Sequence, residues 1–210
     1  MEKQRYIFDL DGTLLTCNYA SVEYDYFQSI FGDDSISFTP YVGEFLDEYE
    51  KIFPKYDKKV LSEFLSCRTG LSFTPEIIAG WINIIPDIED ALEDGVVDVL
   101  EHLKKQDKSL VVLSNWFGES QIPRLKNAGI YDYFDEILTG EYQLKPHKSA
   151  YMIAKGDFSP EQCIFIGDHL NKDYIGPRAC GMESVLYDKK DEHNNNIVKV
   201  KRMNEIIKKY

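Results

Sequence analysis

A short apolar run, Arg5 to Phe8, breaks off into Asp9-Leu10-Asp11-Gly12-Thr13, and no second strand-like run follows until Leu110. The interval between them carries apolar residues at helical rather than alternating spacing, so it does not belong to the sheet that the first run begins. After Leu110 the pattern changes. Leu110 to Leu113, Glu136 to Leu138, Cys163 to Ile166 and Glu183 to Tyr187 are short β-type segments, with helical stripes before and between them. Val96, Val97, Val99, Leu100 and Leu103 form one such stripe. Gln121 to Ala128 and Ala150 to Lys155 form others, closed by Gly129 and Gly156, since glycine accepts the left-handed backbone at a helix stop. Alternating strand and helix build a parallel sheet covered on both faces.

Within the interval, Tyr19, Val22, Tyr26, Phe27 and Ile30 share one helical face, and Val42, Phe45, Leu46, Tyr49, Ile52 and Phe53 share another. Val60, Leu61, Phe64 and Leu65 make a third. Ile77, Ile78, Trp81, Ile82 and Ile85 make a fourth, after Thr74-Pro75-Glu76, where threonine caps and proline fits the first turn. The expected architecture is an α/β, Rossmann-like core from residues 1–15 and 89–210, with residues 16–88 inserted as a helical bundle. A chain of 210 residues buries roughly 70% of its unfolded surface, enough for that core and a modest insertion. The polar run Lys189 to Asn196 reads as an exposed loop before a short terminal helix.

Charge narrows the partners. Against 24 Lys and Arg stand 36 Asp and Glu, a formal charge of −12, which opposes attraction to nucleic acid or an anionic membrane. Apolar runs are strand-sized, so no transmembrane helix is expected. The start of the chain lacks the pattern of a secretory signal, and the expected location is the cytoplasm. Cys17, Cys67, Cys163 and Cys180 form no CxxC pair and read as reduced thiols.

The chemistry gathers where strands end. Asp9 and Asp11 follow the first strand, Ser114-Asn115 the second, Lys145-Pro146 the third after a short loop, and Gly167-Asp168 the fourth, with Asp173 shortly after. The carboxyl edge of an open parallel sheet is where such folds bind ligands. Carboxylates crowded into a partly dry cleft repel one another and must protonate or bind a cation. Oxygen-only ligands suit Mg²⁺, and Asp9 and Asp168 are side-chain candidates. A carboxylate also attacks phosphorus when cations offset the phosphoryl charge, which the metal and Lys145 would do. Asp11 could then donate a proton to the leaving oxygen and later take one from water.

In these four segments the sequence resembles the haloacid dehalogenase-like (HAD) superfamily, in the branch of phosphohydrolases with a helical cap of the C1 type. Asp9-Leu10-Asp11-Gly12-Thr13 resembles the family's first motif, Ser114 in Val111-Val112-Leu113-Ser114-Asn115 the second, Lys145-Pro146 the third, and Gly167-Asp168 through Asp173 the fourth. The resemblance implies that Asp9 is the nucleophile, Asp11 the general acid/base, Ser114 a donor to phosphate and Lys145 the neutralising cation. It implies metal ligation by Asp168, the Asp9 carboxylate and the Asp11 main-chain carbonyl. Asp173 would support the metal through water or through Lys145, while Thr13 and Asn115 would hold the nucleophile loop and the phosphate. Lys148 stands where relatives often have proline.

The retained second acid, Asp11, favours phosphoryl transfer over dehalogenation. The expected activity is Mg²⁺-dependent hydrolysis of a small phosphorylated metabolite through an aspartyl-phosphate, with movement at linkers near Leu15 to Asn18 and Pro86 to Asp94. A sugar-phosphate mutase and a non-catalytic binder of phosphorylated ligands are the alternatives. In the insertion, Arg68 is read on a polar loop, either as a solvated residue or as one that reaches a polar group of the substrate, and Trp81 either as core or as a ring that stacks on a base or sugar. Trp116 and Phe117 lie beside the ligand edge, where they line the cleft or pack the hinge, and His147 is read as a loop residue.

Overall fold

The computed structural model describes residues 2–16, 19–194 and 196–210. Six parallel strands form one sheet: β1 (Arg5–Phe8), β2 (Ser109–Leu113), β3 (Glu136–Leu138), β4 (Cys163–Gly167), β5 (Glu183–Tyr187) and β6 (Lys199–Val200), in the order β3-β2-β1-β4-β5-β6. The register sets Phe8 opposite both Val112 and Ile166, so β1, β2 and β4 finish at the same edge. The winding direction reverses between β1 and β4, and the crevice this opens is the ligand position of a doubly wound sheet.

Side-chain alternation splits the core in two. Tyr6, Phe8, Val112, Ile164 and Ile166 face one way, against Val96, Val99, Leu100 and Leu103 of α5 (Val96–Lys105). Ile7, Val111, Leu113 and Phe165 face the other, against Ala150, Tyr151 and Ala154 of a helix over Lys148–Lys155. Four helices lie between β1 and α5: α1 (Tyr19–Phe31), α2 (Val42–Ile52), α3 (Lys58–Thr69) and α4 (Pro75–Ile84). They close around Phe27, whose ring meets Phe38 at 4.9 Å and Trp81 at 5.0 Å. Phe117 and Leu144, from loops beyond β2 and β3, complete this cluster and bind the insertion to the sheet edge. The two chain crossings pair with each other, Leu15 with Leu92, and the Thr16 amide donates to the Ala91 carbonyl at 2.8 Å.

Helix ends follow capping chemistry. Asp57 accepts from the amides of Lys59 and Val60 at the start of α3, and Thr74 caps α4 with Pro75 at its first position. Arg68 is not on a loop: α3 continues to Thr69 and ends at Gly70, whose φ is +76°. The hydroxyls of Ser66 and Thr69 bond back to the carbonyls of Ser62 and Leu65, which lets a polar stretch stay helical. The next helices are α6 (Gly118–Asn127), α7 (Lys148–Lys155), α8 (Gly176–Ala179) and α9 (Glu205–Lys209). Thus α6 begins three residues ahead of its apolar pattern, with Ser120 and Gln121 buried. The two-residue β6 is too short to leave a periodic signal, and a π-helical turn over Leu170–Ile175 follows Asp168. Among the described residues no helix is long and apolar enough to cross a membrane. Cys67 is exposed, Cys163 buried and Cys180 partly buried, all as free thiols; Cys17, Asn18 and Asn195 lie outside the described residues.

Candidate active site

The Asp9 amide continues the sheet ladder by donating to the Ile166 carbonyl at 2.9 Å, which fixes the first residue beyond β1 against β4. Its Oδ1 lies 2.6 Å from the Lys145 ammonium, and the same Nζ is 2.8 Å from Asp173 Oδ1. The second Asp173 oxygen accepts from the His169 amide at 2.9 Å. Lys145 is placed by Asn115, whose amide group gives to the Lys145 carbonyl at 2.7 Å and accepts from its N–H at 2.8 Å. Two glycines permit this packing. A Cβ on Gly12, where φ is +75°, would stand 2.4 Å from Asp168 Oδ2, and one on Gly167 would stand 2.4 Å from Asp173 Cγ.

One carboxylate oxygen each from Asp9, Asp168 and Asp173 falls within a 4.8 Å group. Burial pushes the Asp9 carboxyl well above the usual range; Lys145 opposes the shift, while Asp173, Asp168 and Asp11 add to it. Desolvation in the cleft, then the Asp173 charge, pushes Asp168 up to about 6. Burial alone would lower the Lys145 ammonium, but Asp173 and Asp9 hold it above the ordinary lysine value, so it stays charged. Three acids facing one ammonium leave excess negative charge on hard oxygen donors. That donor set fits a divalent cation of the Mg²⁺ kind.

Asp11 points away from this group and is held by residues that the sequence reading did not single out for the site. Its Oδ1 accepts from Arg124 Nη1 at 2.7 Å and from the Tyr19 hydroxyl, and its Oδ2 from Gln121 Nε2 at 2.8 Å. The same Gln121 nitrogen reaches Ser114 Oγ at 2.8 Å. Arg124 Nε meets Asp90 Oδ2 at 2.5 Å, so one guanidinium joins α6, the first loop, α1 and the second chain crossing. Gln121 and Arg124 sit one turn apart on the buried face of α6.

A cavity of about 370 Å³ opens above Asp9, lined from the sheet side by Asp11, Ser114, Asn115, Trp116, Lys145, Asp168, His169 and Asp173, and from the insertion by Tyr19, Glu23, Leu46, Glu50, Tyr56, Trp81 and Ile85. Thr13 is not among them: it is buried behind the loop, and its hydroxyl has no partner among the described residues. Arg68 pairs with Glu48 on the surface. Phe117 packs on Tyr56, and the His147 ring bonds the Glu50 carbonyl. Lys172 reaches the cavity but is held by Asp47 and Glu50, both at 2.5 Å; burial would lower its ammonium, and these acids keep it raised.

A six-stranded parallel sheet of this order, with acids and a lysine converging at its central carboxyl edge, is the architecture of a haloacid dehalogenase-like hydrolase. Residues 4–181 match that family's sequence profile, and the chain belongs to it. It is 29% identical over 115 residues to the ribulose-1,5-bisphosphate 5-phosphatase of Halopiger xanaduensis, covering 53% of this chain and 45% of that protein. It is 35% identical over 92 residues to the phosphoglycolate phosphatase of Thiobacillus denitrificans, covering 42% and 40%. The matches thus span less than half the length of these two relatives. The magnesium-bound HAD-hydrolase YfnB of Bacillus subtilis shares the fold over 99% of this chain and 98% of its own, with a TM-score of 0.73 and 19% identity.

Proposed function

We propose that this chain is a phosphomonoesterase that passes through a phosphorylated Asp9 and uses a divalent cation, Mg²⁺ by its donor chemistry. The observation that carries the reading is Asp9 at the switch point of the sheet, 2.6 Å from Lys145, with Asp168 and Asp173 oxygens beside it. Phosphatase relatives support the same class of reaction. Asp9 and Asp168 would hold the cation by their side chains and Asp11 by its main-chain carbonyl, with Asp173 in support through Lys145. When bound, the cation offsets the charge of the carboxylates and of the phosphoryl oxygens.

An Asp9 oxygen attacks phosphorus as the bond from phosphorus to the ester oxygen breaks. Asp11 gives its proton to the departing alkoxide. In the second half Asp11 takes a proton from water, the water oxygen attacks phosphorus, and the bond to Asp9 breaks to release phosphate. Lys145 and the Ser114 hydroxyl bind phosphoryl oxygens through both halves. Asn115 keeps Lys145 in place, and Thr13 supports the nucleophile loop from behind. The helical insertion serves as a cap that shields the cleft from bulk water and surrounds the alcohol part of a small phosphorylated metabolite. Acid quenching during turnover of a ³²P-labelled ester should leave label on the peptide containing Asp9, and none in Asp9→Asn. Turnover with no labelled protein at any quench time would speak against the intermediate.

A further inference from the structure

Two acids that line the cavity are not used by this mechanism: Glu50 is paired with Lys172 and accepts from the Tyr56 hydroxyl, which leaves Glu23. Glu23, on α1, is 8% exposed and lines the cavity, and its Oε1 accepts from the Trp81 indole N–H at 3.0 Å. Among the described residues no cation faces it, and burial pushes its carboxyl up to about 7, with Trp81 drawing it back only in part. A carboxyl buried without a cation is costly to ionise, and a ligand that supplies positive charge removes that cost. The wall beside it is aromatic: Trp81 meets Trp116 at 4.7 Å, and Trp116 meets Tyr56 at 5.3 Å. Carboxylate and ring faces together are the chemistry that recognises an ammonium group.

The cavity's own cations are already committed. Lys145 is held by Asp9 and Asp173, Lys172 by Asp47 and Glu50, and His169 Nδ1 is occupied in accepting from the Asn171 and Lys172 amides. No described cation is left for a carboxylate or a second phosphate on the substrate. Distance limits size as well. Tyr19, which touches Asp11, and Glu23 lie one helical turn apart on the same face of α1, about 6 Å along the axis. The leaving oxygen belongs near Asp11, so the group that meets Glu23 belongs a few atoms further on.

We propose that Glu23 selects the alcohol part of the substrate, and that this substrate is the phosphomonoester of a small amino alcohol whose ammonium group sits beside Glu23 and the Trp116 face. The proposal rests on the phosphatase reading above. It separates this chain from relatives named for esters that carry a carboxylate or a second phosphate.

Three matched two-carbon esters test it: 2-aminoethyl phosphate, 2-hydroxyethyl phosphate and phosphoglycolate. Phosphate release is measured with the unmutated protein and Glu23→Gln, and binding by calorimetry with Asp9→Asn and with the Asp9→Asn/Glu23→Gln double variant. The amine should lead the hydroxyl by about tenfold in kcat/KM and in affinity, with the carboxylate weakest. Glu23→Gln retains an acceptor for Trp81 and should bring the amine-to-hydroxyl ratio close to one. Equal or reversed order in the unmutated protein overturns the proposal, as does an unchanged ratio in Glu23→Gln. If p-nitrophenyl phosphate and all three esters release no phosphate, the phosphatase reading fails. The binding order still decides the role of Glu23: the amine preference lost with Glu23→Gln upholds it, and its absence overturns it.

Discussion

Asp9 and Asp11 stand two positions apart on one loop, yet their surroundings divide them. Asp9 is buried beside an ammonium and two further acids, whereas Asp11 is turned toward a guanidinium, an amide and a phenol. Arg124 is 1% exposed and serves Asp11 and Asp90 together. Removing it leaves acids at a buried junction without their cation, so Arg124→Met should destabilise the fold by about 3 kcal/mol, read from urea unfolding. A change below 1 kcal/mol would mean that the junction is solvated and contributes little. Asp9, Ser114, Lys145 and Asp168 could be placed at one edge from sequence because each follows a strand end, and their types suit a single chemistry. Tyr19, Glu23, Gln121 and Arg124 could not: they lie on helices, where a polar residue facing a cleft leaves the same pattern as one facing solvent. Thr13 shows the reverse limit. Its place in a motif gives no sign that its side chain turns away from the cavity.

At the scale of elements, α1 and α4 are joined through the Glu23 to Trp81 hydrogen bond inside an aromatic cluster. The folded chain keeps the Glu23 proton up to about pH 7, whereas the ordinary glutamate value is 4.5. The folded state therefore binds more protons than the unfolded state between these values, and stability falls as pH rises through that window, then levels off. The contribution is up to about 3 kcal/mol for a shift of this size. Between pH 4.5 and pH 8 the unmutated protein should lose about 2–3 kcal/mol more than Glu23→Gln in urea unfolding. Parallel curves for the two would show that Glu23 ionises without cost. The helices of the insertion were legible as apolar stripes, the last of them with threonine and proline at its start. The start of α6 and the last turn of α3 were not: Ser66 and Thr69 bond back within α3, Ser120 and Gln121 donate to Ile82, Asp11 and Ser114 outside α6, and both sets of residue types look like loop chemistry. The π-helical turn that brings Asp173 under Gly167 depends on a close backbone approach that no periodicity records.

For the whole molecule, a parallel sheet and a helical insertion meet over one cavity, and each contributes what the other lacks. The sheet edge supplies Asp9, Lys145, Asp168, Asp173 and Trp116, while the insertion supplies Glu23 and the rings of Trp81 and Tyr56 that meet Trp116. Only two paired crossings connect them along the chain, near Leu15 and Leu92, and Phe117 and Leu144 bridge them by packing. The sheet's strand order could be anticipated in class but not in detail, since β6 carries only two residues. The formal charge of −12 opposes the approach of an anionic ester, and a bound divalent cation would offset it at the cleft. Phosphate release from a panel of phosphomonoesters, with Mg²⁺ and with EDTA, for the unmutated protein beside Asp9→Asn, is the most direct test of this account. Release that requires Mg²⁺ and falls by at least about a thousandfold in Asp9→Asn is the predicted result. Release that persists in EDTA, or that Asp9→Asn sustains at the unmutated rate, would contradict it.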